Sequence, residues 1–248
     1  MNQHKDPMGA AIADYWRHGA AGRLRVFSPD FDEDEMPVDN LFREFDEMPP
    51  LEQQALRLAT GRILDVGAGA GCHTIALEDM GRDVTAIDIS PLSVATMRDR
   101  GIGRALEQDF WDVAERYDTI LMLMNGIGIV GTLDALPRFF AHIDGILADG
   151  GRVVVDSSDV SYVYEEDDGT CCLRRNADGI MVFPDTGRYY GEYVYSMQYK
   201  RIRGEEFPWL YIDYDTLRRV AEDCGFDAEL VAEGEHYDYL AVISRRAK

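Results

Sequence analysis

The sequence predicts an α/β fold: a mainly parallel sheet covered on both faces by helices and carrying a small strand-rich insertion. Three observations predict it. From Gly61 onward, short apolar runs alternate with stretches of helical period. The runs are apolar throughout rather than at every second residue, as strands buried on both faces must be. The first of them, ILDVGAGAG (residues 63–71), breaks into a glycine-rich turn just before a helical segment.

Taken in order, residues 7–20 predict a short helix, because Pro7 suits a first turn and Ile12, Tyr15 and Trp16 share a face. The stretch SPDFDEDEMPVDN reads as a loop. Nine acids against the single Arg43 lie between Ser28 and Met48. We read them as a solvated charge run, since the regular spacing of a Ca²⁺ loop is absent and no metal site is expected. Residues 50–59 (PLEQQALRLA) predict a helix opened by proline.

The alternating part begins with the strand ILDVGAG and the helix HTIALEDMG, stopped by Gly81. The strand DVTAIDIS follows, then the helix PLSVATMRDRG, opened by Ser90–Pro91 and closed by Gly101. A weaker strand, Ala105–Glu107, precedes Asp109, and YDTILMLMNG is a strongly apolar fourth strand. Residues 132–151 (TLDALPRFFAHIDGILADGG) read as one helix despite Pro137, ending at a glycine pair, and RVVVDSS is a fifth strand. After Ser158 the rhythm breaks. Residues 159–211 form an insertion whose segment GRYYGEYVYSMQYKRIRG alternates, with Tyr189, Tyr193, Tyr195, Met197 and Tyr199 on one face and Tyr190, Glu192, Val194 and Ser196 on the other. The helix DYDTLRRVAEDCG resumes the main fold. AELVAEG and DYLAVISRR then close it as a pair that so short a link makes antiparallel. The expected organisation is an N-terminal helical and acidic cap segment (1–59), a core (60–158), the insertion as a lid (159–211), and a C-terminal completion of the core (212–248).

At 248 residues with 46% hydrophobic content, the chain can bury one sizeable decorated core. Lys plus Arg number 25 against 46 Asp plus Glu, a net charge of −21, which repels a polyanion. The densest basic cluster, Arg174–Arg175 with Lys200, Arg201 and Arg203, is too small to overrule that total. No apolar run approaches a bilayer's thickness, and MNQHKDPMGAA lacks a signal-peptide core, so a cytoplasmic location is expected. Cys72, Cys171, Cys172 and Cys224 have the spacing of neither a disulfide framework nor a zinc knuckle and read as reduced thiols. The expected partner is a small molecule rather than nucleic acid or membrane, and a homo-oligomer is compatible with the composition.

The chemistry concentrates at the glycine turn. A strand that turns through Gly67, Gly69 and Gly71 into a helix offers backbone N–H groups, and glycine lets a ligand approach them closely. The pattern is GxGxG, whereas a dinucleotide loop needs GxGxxG; its third position falls on Cys72 or Thr74. No Lys–Ser/Thr follows, which removes the P-loop reading. Asp65 lies inside the strand end, where a buried carboxylate needs a cation or donors; it is also consistent with a strand-end cap. Asp88 ends the second strand, close to the ~20-residue interval at which an acid takes ribose hydroxyls. Asp109 is placed to accept from an adenine amino group, with Phe110 able to pack on the ring, and Asn125–Gly126 follow the fourth strand. Solvated turn acids remain the alternative for Asp88 and Asp109. His73 reads as a locally bonded helix-start histidine, and Cys72 as a small packed thiol.

Asp65 with the Gly67–Gly69–Gly71 loop, then Asp88, Asp109 and Asn125, resembles the ordered motif series of class I methyltransferases dependent on S-adenosylmethionine (SAM). The resemblance covers roughly residues 60–157 and 212–246. It implies a Rossmann-like fold with a seven-stranded sheet of order 3-2-1-4-5-7-6 and an antiparallel seventh strand. It implies SAM as cofactor, held by Asp65, Gly67, Ala68, Gly69, Gly71, Asp88, Ile89, Asp109, Phe110, Asn125 and Gly126. Met124–Asn125–Gly126–Ile127 does not match the Asn/Asp-Pro-Pro-Tyr/Phe clamp of exocyclic-amine methylases, and no Pro–Cys pair suggests a cytosine C5 nucleophile. A small-molecule acceptor is the preferred reading. RNA or protein as acceptor, and a sensor that binds SAM or its demethylated product without turnover, stand behind it. A nicotinamide oxidoreductase comes last, because of the loop spacing. Tyr15, Tyr190 and Glu192 are the substrate-side candidates, as parts of an aromatic-walled lid that also draws on Trp16, Phe207 and Trp209; burial of the tyrosines in a mini-sheet core or a dimer interface is the competing expectation.

Overall fold

The structure, a computed structural model, describes residues 5–165 and 170–246. Helix α1 (Pro7–His18) is capped by the Asp6 carboxylate, which accepts from Gly9 N–H, and stopped by Gly19 in the left-handed region. Ile12 is fully buried, while Trp16 is 44% exposed, so the apolar face expected of this helix is only partly covered. Strands β1 (Leu24–Phe27) and β2 (Asp34–Met36) pair antiparallel. Here the acidic stretch departs from the loop reading. Across the pair Glu35 meets Arg23 and Glu33 meets Arg25, and these ion pairs give part of the charge run extended backbone.

Helix α2 (Pro50–Leu58) opens on proline as expected. The alternating series follows as β3 (Arg62–Val66), α3 (Cys72–Asp79), β4 (Asp83–Asp88), α4 (Pro91–Asp99, capped by Ser90), β5 (Ala105–Glu107) and β6 (Tyr117–Met122). The segment 132–151 is not one helix. Leu133–Ala135 makes a 3-10 turn, Pro137 falls in the first turn of α5 (Leu136–Ile146), and strand β7 (Leu147–Ser158) begins before the glycine pair. Leu147 already pairs with Tyr117, so sheet hydrogen bonds claim the backbone that helical periodicity seemed to assign to α5.

The insertion contributes the hairpin β8 (Arg174–Arg175) and β9 (Met181–Val182), then β10 (Glu192–Tyr199), β11 (Ile202–Arg203) and β12 (Phe207–Leu210). Helix α6 (Tyr214–Asp223) and strands β13 (Phe226–Glu233) and β14 (Asp238–Arg245) complete the chain. The main sheet runs β13-β14-β7-β6-β3-β4-β5. Counted along the chain within that sheet, the order is 3-2-1-4-5-7-6. β14, seventh in that count, runs antiparallel to both of its neighbours, β7 and β13, and the other pairings are parallel.

Alternate residues feed opposite faces. Leu64, Ile120, Met122, Val153 and Val155 pack beneath α5 and α6, while Ile63, Leu121 and Val154 pack beneath α2 and α3. A second sheet joins chain regions far apart, because β10 pairs with β1 through Leu24↔Tyr199 to Phe27↔Ser196. Its apolar cluster takes in Ile12, Leu24, Val38, Leu41 and Tyr199 together with Ala70 of the glycine turn, and Met124 packs against it. The N-terminal segment and the insertion are thus one cap, resting on the carboxyl ends of β3 and β6. Among the described residues, no helix is long and apolar enough to cross a membrane.

Candidate active site

The glycine turn has the backbone its sequence requires: Gly67, Gly69 and Gly71 have φ of +68°, +58° and +83°. Their surroundings differ. A Cβ on Gly67 would meet nothing within 4 Å and one on Gly69 only Leu41 Cδ2 at 3.9 Å, so that side of the turn is open. A Cβ on Gly71 would strike Ile102 and Met97, so this glycine serves packing against α4. The N–H groups are more committed than the sequence suggests. Gly67 and Ala68 both donate to the Ile87 carbonyl (2.9 and 3.0 Å), and Gly71 donates to that of Ala68 at 2.7 Å. Gly69 donates to the Asp88 carboxylate at 2.9 Å.

Two strand-end carboxylates flank the turn, and a third holds the turn after β6. Asp65 is buried, and its hydrogen bonds come from Thr74, whose hydroxyl donates at 2.5 Å. Burial raises its pKa above the ordinary carboxylate value. Asp88 accepts from Gly69 N–H and from Ser90 N–H at 2.8 Å, yet burial pushes it up to about 6. Ser90 in turn donates its hydroxyl to Asp6 at 2.6 Å, which ties α1 to the start of α4. Asp156, at the end of β7, is the carboxylate that sequence reading overlooked. It accepts from Met124 N–H and Gly126 N–H, each at 3.0 Å, and burial pushes it up to about 6. Its place in VVVDSS repeats the apolar-strand-then-acid pattern of Asp65 and Asp88, a signal that was available.

Asp156 shapes a strained turn. Met124 and Asn125 have φ of +64° and +57°, two successive non-glycine residues in the left-handed region. Asn125 Oδ1 accepts from the Ser158 hydroxyl at 2.8 Å. Asp109 is exposed and caps the turn 110–112, accepting from Trp111 N–H at 3.0 Å. Phe110 departs from expectation. It is 1% exposed and packs inward against His142 and Phe139, so its ring faces are used in the core and not offered to a ligand. The side chain exposed beside Asp88 is Ile89, at 44%.

The profile of the family described as "Methyltransferase domain" matches residues 37–231. A SAM-dependent methyltransferase from Bacteroides fragilis, crystallised in complex with S-adenosyl-L-homocysteine, is 49% identical; the match covers 100% of this chain and 98% of that one, with a TM-score of 0.91. The chain belongs to the class I SAM-dependent methyltransferases. The CcbJ methyltransferase from Streptomyces caelestis shares the fold at 16% identity (97% and 98% covered, TM-score 0.59). So does a sugar N-methyltransferase from a Streptoalloteichus species, at 16% identity (88% and 96% covered, TM-score 0.54). Among curated proteins there is no match.

In this methyltransferase the three substrate-side candidates do not form an open aromatic wall. Tyr15 is half-buried and stacks on Phe42, with ring centroids 4.6 Å apart. Tyr190 is 1% exposed in the main core, and its hydroxyl donates to Asp159 at 2.7 Å and lies 3.2 Å from Asp213. Glu192 accepts from Leu133 N–H at 2.8 Å, bracing the turn that leads into α5. Tyr190 therefore anchors the insertion to the core, while Glu192, half-buried, braces it through one carboxylate oxygen. Trp209, another residue of the expected lid, does reach the core. Trp209 lies so close to Gly128 that a Cβ there would enter its indole, and Ser157 Oγ accepts from Ile212 N–H at 2.9 Å.

Glu52 and Arg43 are also additions to what sequence reading found. Arg43 Nη2 reaches both Glu52 oxygens at 2.9 Å, and Glu52 Oε2 lies 2.7 Å from His73 Nε2. His73 thus bonds across 21 residues rather than locally. Cys72 is packed as expected, and burial pushes its thiol up to about 12.

Proposed function

We propose that this methyltransferase transfers a methyl group from SAM to a small-molecule acceptor, with the donor lying along the carboxyl ends of β3, β4 and β6. The observation that carries the reading is the cap, whose apolar cluster meets the glycine turn at Ala70 and the following turn at Met124. The residues present fit the donor. Gly67 and Gly69 leave space that a Cβ would fill, and the buried carboxylate of Asp65 suits an ammonium group.

In this reading Asp65 accepts from the amino-acid ammonium, and Gly67, Ala68, Gly69 and Gly71 shape the backbone alongside it. Asp88 accepts from the ribose hydroxyls, Ile89 gives the nucleobase an apolar contact, and Asp109 lies at its amino edge. Asn125 and Gly126, held by Ser158 and Asp156, line the acceptor side. SAM supplies an electrophilic methyl group on a sulfonium, so the chain has to align the acceptor and exclude water. The cap excludes water. Its net contribution is access for something small. The cap carries an open cleft of about 290 Å³, lined by residues that include Asp30, Phe31, Tyr164, Phe183 and Arg188, near the lower bound of small-ligand sites. The Tyr164 hydroxyl at this cleft bonds that of Tyr193 on β10 at 2.6 Å, which places the cleft against the tyrosine layer of the cap. A net charge of −21 opposes a polyanionic acceptor.

The test has two arms. Calorimetry with S-adenosylhomocysteine on ligand-stripped protein should show one saturable site. Release of that product should then follow from panels of small amines and hydroxyl compounds, and not from RNA or protein. Turnover on a macromolecule alone would overturn the acceptor assignment, and absence of binding would overturn the whole reading.

A further inference from the structure

We propose that the methyl acceptor is an amine, its nitrogen held against the half-open rings of Tyr195, Phe207, Trp209 and Tyr211 on the donor-facing side of the cap. The inference deepens the SAM reading above and rests on it. Strand register sets the rings on one face. In the pairing of β10 with β12, Tyr193 lies opposite Trp209 and Tyr195 opposite Phe207, and directly opposed residues share a face. Met197, two residues beyond Tyr195, belongs to that face too. It packs against the apolar cluster that holds Ala70 of the glycine turn, as does Met124, so this face is the one turned toward the donor. Strand β12 also follows the turn after β6. Trp209 rests on Gly128, Pro208 lies beside Gly131, and Gly128 N–H donates to the Asn125 carbonyl at 2.9 Å.

Burial changes along this face. Leu24 and Tyr199 are sealed, whereas Tyr195, Phe207, Trp209 and Tyr211 stay half-buried. With Tyr193 among them the rings form a continuous series. Centroids lie 5.7 Å apart for Tyr211–Tyr193, 6.2 Å for Tyr193–Tyr195, 6.3 Å for Tyr195–Phe207 and 6.1 Å for Phe207–Trp209. Interplanar angles of 72° and 83° at the two ends make walls rather than a stack. Arginine or lysine lies over other rings of the protein, Phe183 and Tyr199 among them, but among the described residues none lies over these four. Such uncovered ring faces attract a cation. The nearby charges favour the same guest. An open cleft of about 150 Å³ at Tyr195 is lined by Glu206 and by no basic side chain. The larger cleft, at Phe31, carries Asp30 and Asp185 against Arg188 alone, and Arg188 is engaged by the Phe183 ring and the Glu192 carbonyl. Phe31 joins that cleft to the series, its ring centroid 4.9 Å from that of Tyr193.

The charge flow of the reaction selects the amine. The acceptor enters the step as the free base, its proton left with the solvent. The nitrogen lone pair forms the N–C bond, and the S–C pair leaves with sulfur as the neutral thioether of S-adenosylhomocysteine. Positive charge thus passes from sulfur to nitrogen, and rings beside the nitrogen stabilise it as it develops. An ionised hydroxyl or carboxylate acceptor would end the step neutral and gain nothing from them.

The experiment takes the full chain saturated with S-adenosylhomocysteine and titrates it by calorimetry with choline and with choline's uncharged tert-butyl isostere. Choline should bind at least about tenfold more tightly, the scale of a desolvated cation–π contact. Phe207→Leu should remove most of that preference, and Tyr195→Phe, which keeps the ring, should retain it. Trp209→Leu serves if Phe207→Leu does not fold, and unchanged S-adenosylhomocysteine affinity reports that each variant is folded. With SAM as donor, a panel of primary and secondary amines should yield turnover whose kcat/KM falls at least about tenfold in Phe207→Leu. Equal binding of choline and its isostere, binding of neither, or a preference that survives Phe207→Leu would overturn the inference. Turnover on hydroxyl compounds or carboxylates with none on amines would do the same. Absence of S-adenosylhomocysteine binding by the wild type would instead refute the SAM reading.

Discussion

Replacing Asp156 with alanine tests whether the turn after β6 is a strained element held in place. The carboxylate accepts two N–H groups at 3.0 Å, from Met124 and Gly126. Bonds to a charged acceptor contribute about 1.5–3 kcal/mol each. Against this stand two terms. Burial raises the group from 3.8 to about 6, which costs about 3 kcal/mol at neutral pH. Two non-glycine residues in the left-handed region cost about 1–2 kcal/mol each, which is recovered if the turn relaxes. The alanine variant should therefore lose roughly 0–3 kcal/mol near neutrality if the turn keeps its backbone, and less if it relaxes, well below what two buried charged bonds would suggest.

The pH dependence carries the sharper test. A carboxylate raised in the folded state stabilises at pH below its unfolded value and loses that contribution as pH rises through about 6. Wild type should therefore gain roughly 1–1.5 kcal/mol from this group between about pH 7.5 and about pH 5, and the variant should not. Urea unfolding at both pH values measures the gap, which should widen on acidification. Turnover should fall at least about tenfold, because Asn125 loses the support that fixes it, while S-adenosylhomocysteine affinity changes less. A gap that stays constant or narrows at acid pH would refute the reasoning, as would a variant with full activity.

Three further outcomes follow from the same geometry. Asp65→Asn should leave neutral-pH stability unchanged or raised, because the ionised form is the one burial opposes, while product affinity falls about 100-fold, the scale of an unpaired buried charge; a destabilised variant that still binds tightly would contradict this. Gly67→Ala and Gly71→Ala should separate. The first pays only left-handed strain of about 1–2 kcal/mol but fills ligand space, and the second adds overpacking of about 1–3 kcal/mol against Ile102 and Met97. Thermal unfolding and calorimetry on the pair would show the reverse ranking if Gly71 were the ligand-facing glycine. Gly128→Ala should push Trp209 and β12 from their seat, visible as altered near-ultraviolet dichroism with loss of turnover; an unchanged Trp209 signal would place the cap differently.

The main sheet was legible because each of its signals is local. Strands such as RILDV and YDTILM are apolar on both faces, their ends are marked by glycine or Ser–Pro, and a link too short for a crossover makes β13 and β14 antiparallel. The error within it was equally local. Helical periodicity runs on past Ile146, and only the pairing of Leu147 with Tyr117, which lies outside any sequence window, shows that the chain has already entered β7. Phe110 shows the corresponding limit for a side chain. It follows Asp109 directly, yet one residue of rotation in a 3-10 turn decides which way its ring faces, and the pull of Phe139 and His142 is not written in the local pattern.

The cap was hidden for a different reason. Its central pairing joins Leu24 to Tyr199, a partner that adjacent sequence does not reveal, and the neighbouring pairing of β1 with β2 is short and runs through acids that read as solvated loop. The same distance explains why Tyr190 and Glu192 looked like lid residues. Alternation on β10 separates two faces correctly but cannot say which is covered. That is decided by Asp159, Asp213 and Leu133, which reach these side chains from β7's end, the start of α6 and the turn before α5. Three separate elements thus converge on the root of the insertion, while its outer strands pair with the N-terminus. The cap is anchored on one side by these bonds and on the other meets distant segments where β1 pairs with β10 and where α1 packs on α4, and the second contact contains the Asp6–Ser90 bond directly beside Asp88. One serine thus joins the cap of α1 to Asp88, its hydroxyl donating to Asp6 and its N–H to Asp88.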